Sequence, residues 1–120
     1  METMQIRVVG GSHHAMKEQN DEGHLLAGAP LTLMAEPGNP YDSNAVRVLS
    51  DEKQIGYVAR DMSAHVSALL KDGRVLKVKV LYPPKGEKPA FLLGTIEVKP
   101  INGSDVEESY NSEDDLDVDP

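Results

Sequence analysis

Turn-forming residues break this chain at short intervals from its start to about residue 100. Gly10-Gly11, Asn20-Asp21-Glu22-Gly23, Gly28-Ala29-Pro30, the stretch 36–42, Asp51-Glu52-Lys53, Gly73 and the stretch 83–89 each stop regular structure. The pieces left between them are short, and most alternate. Met4, Ile6 and Val8 alternate with Gln5 and Arg7. Leu76, Val78 and Val80 alternate with Lys77 and Lys79. A period of two belongs to strands with one buried face. Strands are expected at 4–9, 31–35, 44–49, 54–58, 74–82 and 91–99. The short links between consecutive strands favour antiparallel pairing.

The stretch 61–72 follows a different rule. Met62, Val66, Leu69 and Leu70 recur at helical spacing and form one apolar stripe. Asp61 is a plausible N-cap, and Gly73 suits the left-handed position after a helix end. Residues 15–19 form a possible second, shorter helix. The expected fold is therefore mainly β, a small barrel or strongly bent sheet of about six strands with one or two short helices. One Phe, four Tyr and no Trp leave the core to aliphatic side chains.

Charge divides the chain. All 12 Lys and Arg lie before residue 101, matched there by twelve acids, so that segment is neutral. Residues 101–120 carry eight acids and no base, and hence the whole net charge of -8. Their composition predicts a disordered acidic tail after a folded domain over residues 1–100. The overall acidity therefore does not count against nucleic-acid binding by the domain. With no Cys there is no thiolate metal site and no disulfide framework. The opening Met-Glu-Thr-Met-Gln lacks the basic and apolar regions of a secretion signal, so a cytoplasmic location is expected.

The densest cluster of candidate functional residues is Glu36-Pro37-Gly38-Asn39-Pro40-Tyr41-Asp42-Ser43-Asn44-Ala45-Val46. Each proline fixes its own φ and restricts the residue before it. Such a loop holds Asn39, Tyr41, Asp42 and Asn44 in set directions. Its plainest role is a connector between strands. A Tyr beside an Asp, with amides on either side, can also stack a base and bond a sugar hydroxyl.

The run Pro37–Val46, followed by Ile55-Gly56-Tyr57-Val58, resembles the HIRAN domain family. Val8-Val9-Gly10, Leu33 and the helix ending at Gly73 fall in the same order. The resemblance covers about residues 4–99 and implies an OB-like or SH3-like β-barrel. Members occur in helicases and translocases of replication-fork repair, and as stand-alone bacterial or phage proteins, the kind expected here. The helicase-attached members bind single-stranded DNA at its 3′ end. By that resemblance Tyr41 would stack on a base and Asp42 would hold the 3′-hydroxyl. Asn39 would line the pocket, Tyr57 would supply a polar ring and Arg60 would contact phosphate. Phe91 would match a late aromatic beside the DNA. Where an arginine and an aromatic pair would follow Gly10, this chain has Ser12, His13 and His14. Histidine can stack and, when protonated, contact phosphate.

Lys77 and Lys79, with Lys85 and Lys88 after them, form either a solvated face or a track for phosphates. No His spacing suits a metal ion and no cofactor is expected. No nucleophile and base stand at catalytic spacing, and there is no Walker loop, so the chain is not expected to be an enzyme. The expected partners are single-stranded DNA or DNA ends, together with a DNA-repair or replication protein. The rival expectation is a protein-interaction or DNA-mimic adaptor whose acidic tail imitates phosphate and which docks on a host DNA-processing protein.

Overall fold

The structure is a computed structural model, and it describes residues 2–101. Six strands carry the fold: β1 (Glu2–Val9), β2 (Thr32–Ala35), β3 (Val46–Ser50), β4 (Lys53–Val58), β5 (Val75–Tyr82) and β6 (Leu92–Val98). Two helices, α1 (Met16–Asp21) and α2 (Arg60–Lys71), and a 3₁₀ turn at Gly11–His13 complete it. The strands form one antiparallel sheet in the order β2-β3-β4-β1-β6-β5. The sheet curls until its two ends meet. The segment leading into β2 runs beside β5, where Leu31 N–H bonds the Val78 carbonyl and Val80 N–H bonds the Ala29 carbonyl, both at 2.9 Å. The expected mainly-β, barrel-like fold is the one found.

Alternation explains which face each strand buries. In β6, Leu92, Gly94, Ile96 and Val98 point inward while the residues between them are half-exposed. Ile6 and Val8 of β1, Val46 and Val48 of β3, Ile55 and Val58 of β4, and Val78 and Val80 of β5 meet them. Val66 and Leu69 of α2 join from the helix stripe. Among the described residues the core contains no aromatic ring, in line with the few aromatics of the sequence. Each fully buried aliphatic side chain contributes roughly 1.5–3 kcal/mol relative to exposure.

Two expectations need correcting. Asp61 is not the N-cap of α2. The cap is Ala59, with no side-chain bond, and its own N–H goes to the Arg7 carbonyl at 2.9 Å. Asp61 lies in the first turn, where its carboxylate suits the helix dipole and meets Arg7 at 3.2 Å. Leu76 is not part of the buried face of β5. Val75 pairs with Val98 and Lys77 with Glu97, so Leu76 is the extra residue of a bulge and is 49% exposed. The C-terminus of α2 meets expectation. Gly73 takes φ +67, while Arg74 N–H bonds Leu69 and Gly73 N–H bonds Leu70, the paired bonds of a Schellman end.

The segment 12–29 shows no period because it packs by single anchors. Met16, Gln19 and Leu25 are fully buried, and Ser50 donates its hydroxyl to Gln19 at 3.1 Å. Of the predicted acidic tail, residues 102–120 lie outside the described residues.

Candidate functional site

The loop over residues 36–45 joins β2 to β3 and is closed by Glu36 N–H on the Ala45 carbonyl at 2.8 Å. Asn39 organises its interior. Its Oδ1 accepts the N–H groups of Tyr41 at 2.8 Å and Asp42 at 3.1 Å. Its Nδ2 donates to Glu36 Oε1 at 2.9 Å. Asp42 then makes an Asx turn of its own, Oδ1 accepting from Asn44 N–H at 2.9 Å.

Two other elements grip this loop from outside. From α2, Ser63 Oγ donates to Asp42 Oδ2 at 2.8 Å, and Arg60 Nη2 donates to the Tyr41 carbonyl at 2.9 Å. From β4, Tyr57 Oη donates to Glu36 Oε1 at 2.7 Å. Tyr57 faces outward because it pairs with Val9 on one side and Arg47 on the other. The glycine before it is required by a close approach, since a Cβ on Gly56 would lie 2.3 Å from the Val9 carbonyl oxygen. The result is a backbone held on both sides beneath a Tyr41 side chain that is 82% exposed.

The two carboxylates of the loop are ionised at neutral pH. The Asn44 N–H and then the Ser63 hydroxyl hold Asp42 below its ordinary value, with Arg60 adding attraction. The Asn39 amide and then the Tyr57 hydroxyl do the same for Glu36, with Arg47 and His14 adding to them.

Two clefts adjoin at Asn39, Tyr41 and Tyr57. The smaller, of about 250 Å³, also takes in Asp42, Arg60, Val9, Ala45 and Val58. The larger, of about 650 Å³, also takes in Glu36 and His14. The ring of His14 meets Tyr57 edge to face, with centroids 5.6 Å apart. The structure thus gathers Asn39, Tyr41, Asp42, Tyr57 and Arg60 around one cleft and His14 around the next. Asn44 contributes a backbone N–H.

The remaining candidates lie elsewhere. His13 is exposed in the 3₁₀ turn and lines neither cleft. Lys77 and Lys79 are on β5, which β1 and β6 separate from β4, and Lys79 faces Glu97 at 3.9 Å. Phe91 lines a different cavity, with Tyr82, Lys85 and Lys88. Among the described residues no group of three or more His, Asp or Glu is placed to hold a metal ion, and no helix is long and apolar enough to cross a membrane.

Glu36 and Ser63 bond directly to candidate residues, and the sequence did not single them out. A signal for Ser63 was present. It shares a helix face with Val66 and Leu70, and a hydroxyl on a buried stripe calls for a polar partner. Glu36 carried no comparable sign, because its partner Tyr57 lies on another strand.

A model of the HIRAN domain matches residues 1–96. The chain belongs to the HIRAN domain family. The mouse helicase-like transcription factor is 32% identical to this HIRAN domain over 82 residues, which is 68% of the chain and 7% of that protein. The chain therefore spans a small fraction of that relative's length. The crystal structure of the HIRAN domain of human HLTF superposes with a TM-score of 0.62 at 18% identity, covering 81% of this chain and 76% of that one. A protein from Lactobacillus plantarum superposes with a TM-score of 0.64 at 23% identity, covering 79% and 95%.

Proposed function

We propose that this HIRAN domain is a non-enzymatic DNA-binding module that takes single-stranded DNA by its 3′ end, in the setting of DNA repair or replication. The observation that carries the reading is the Tyr41 ring, 82% exposed on a backbone tied down by Asn39 and Arg60. A large exposed ring on a fixed support is a stacking platform. Stacking on an aromatic contributes roughly 1–3 kcal/mol per base and tolerates any base.

The neighbours of Tyr41 suit the rest of a terminal nucleotide. Asp42 is ionised and accepts one donor on each oxygen, which leaves lone pairs on both. It can accept the hydrogen of a free 3′-hydroxyl and would repel a phosphate placed there. Arg60 uses one nitrogen on the Tyr41 carbonyl, and its other N–H groups remain for the phosphate that precedes the terminal sugar. The site thus selects an end and makes few phosphate contacts, so its salt dependence is shallow.

The experiment is fluorescence anisotropy of labelled oligonucleotides ending in a 3′-hydroxyl or a 3′-phosphate. The hydroxyl-ended strand should bind at least about tenfold more tightly, in keeping with a charge-assisted hydrogen bond replaced by repulsion. Equal affinity for both ends would remove Asp42 from the proposed role.

A further inference from the structure

The two clefts that meet at Tyr41 differ in charge. The smaller pairs a carboxylate with a guanidinium, Asp42 with Arg60. The larger has Glu36 and His14 as its titratable groups besides the two tyrosines, and neither Lys nor Arg lines it. No lining cation meets a phosphate there and Glu36 opposes it, while Arg47, which attracts Glu36 from outside the lining, is engaged by Gln54. A nucleobase fits the same surroundings better, since the walls are the rings of Tyr41, Tyr57 and His14 and the proline ring of Pro40.

Glu36 supplies the polar feature of that cleft. Both of its hydrogen bonds, from Asn39 Nδ2 and Tyr57 Oη, fall on Oε1. Among the described residues Oε2 accepts no bond, and the two donors on Oε1 hold the carboxylate in place. Its ionised state follows from the same donors. A fixed anionic acceptor discriminates among bases. Cytosine N4, adenine N6 and guanine N2 are amino donors. Thymine carries no amino group, and its one edge donor, N3–H, lies between two carbonyl oxygens that a carboxylate repels, so it meets Glu36 less well than an amino group with a free flank.

We infer that the Glu36 cleft holds the base next to the one stacked on Tyr41, and that Glu36 selects an amino-bearing base over thymine at that position. This rests on the single-stranded DNA reading of the Tyr41 site and adds a sequence preference to an otherwise base-tolerant platform.

The test uses the full chain and hydroxyl-ended thymidine decamers that differ at one nucleotide, the one before the 3′ end. Anisotropy should show dC or dA at that position binding about three- to tenfold more tightly than dT, the range of one modest hydrogen bond. Replacing the adenine by purine, which lacks the amino group, should bring affinity back toward that of dT. This comparison uses the wild-type protein and does not depend on any variant folding. Glu36→Gln should reduce the preference for dA or dC over dT to less than about twofold. Equal binding of dA, purine and dT would overturn the inference, as would a preference that survives Glu36→Gln. Failure of the two readings can be told apart. A base preference without any difference between 3′-hydroxyl and 3′-phosphate ends removes the role of Asp42 and leaves Glu36. An end preference without a base preference does the reverse. Absence of DNA binding overturns both.

Discussion

The domain has two proline-containing connections that each present an exposed aromatic ring, and they are built on different principles. The β2–β3 loop carries Pro37, Pro40 and Tyr41, with Asn39 and Asp42 bonded back onto its own backbone. The connection from β5 to β6 carries Pro83, Pro84 and Pro89, with Tyr82 and Phe91 at its ends, 58% and 57% exposed. It is anchored by burial of Pro84 and Pro89 and by Gly11 N–H on the Ala90 carbonyl at 2.8 Å. Its cavity, of about 550 Å³, is walled by Leu92, Leu93 and the two rings, with Lys85 and Lys88 at its border. Proline stiffens both. Only in the first do short polar side chains turn that stiffness into direction, setting a carboxylate and a guanidinium beside the ring.

The comparison makes a quantitative demand on binding. Tyr41→Ala should weaken single-stranded DNA binding about 5- to 100-fold, the loss expected when one stacking platform is removed. Phe91→Ala should cost less than about threefold, because no carboxylate lines its cavity to take a 3′-hydroxyl. Equilibrium anisotropy on both variants checks this. If Phe91→Ala matched Tyr41→Ala, the second connection would have to count as part of the same binding surface.

Stability should separate the two connections as well. Asn39→Ala removes the acceptor of two backbone N–H groups and the donor to Glu36, and should lower stability by about 1–2 kcal/mol. Pro83→Ala removes only a constraint on the unfolded chain and should cost less than about 1 kcal/mol. Urea unfolding monitored by circular dichroism measures both. A larger loss from Pro83→Ala would show that the two loops owe their order to the same cause.

Much of this architecture was legible in the sequence, and what was hidden had a physical reason. Strands such as β1 and β6 declare themselves because each buries one face, so their pattern is local. The helix α2 does the same through Val66 and Leu69. Leu76 breaks the rule because the bulge is decided by the register of β6, which no local pattern encodes. Asp61 was misread because the start of α2 is set by the bond from Ala59 to Arg7, 52 residues away in sequence. The loop from 36 to 45 announced its Asx residues and its prolines, and so most of the candidate site. It did not announce that Glu36 would meet Tyr57 or that Asp42 would meet Ser63, since both contacts span 21 residues. The tract 12–29 was legible only as a short helix at 15–19, found as α1, and two turns, because isolated anchors such as Met16 and Leu25 make no period.

The smallest expected effect is on pH dependence, and it again divides the two connections. Folding holds Asp42 and Glu36 below their ordinary values of 3.8 and 4.5. The unfolded chain therefore binds more protons than the folded one over that range, and stability rises with pH across it. The contribution is complete above about pH 5. It is lost as pH falls through the ordinary values toward the lower folded ones. Asp42→Asn removes one of the two groups, so the fall in Tm between pH 5 and about pH 3 should become less steep than in the wild type. Pro83→Ala should leave the steepness unchanged, because it touches no carboxylate. Thermal unfolding followed across that pH range gives both slopes. A wild-type slope retained in Asp42→Asn would show that the bonds from Asn44 and Ser63 do not favour the ionised carboxylate over its protonated form.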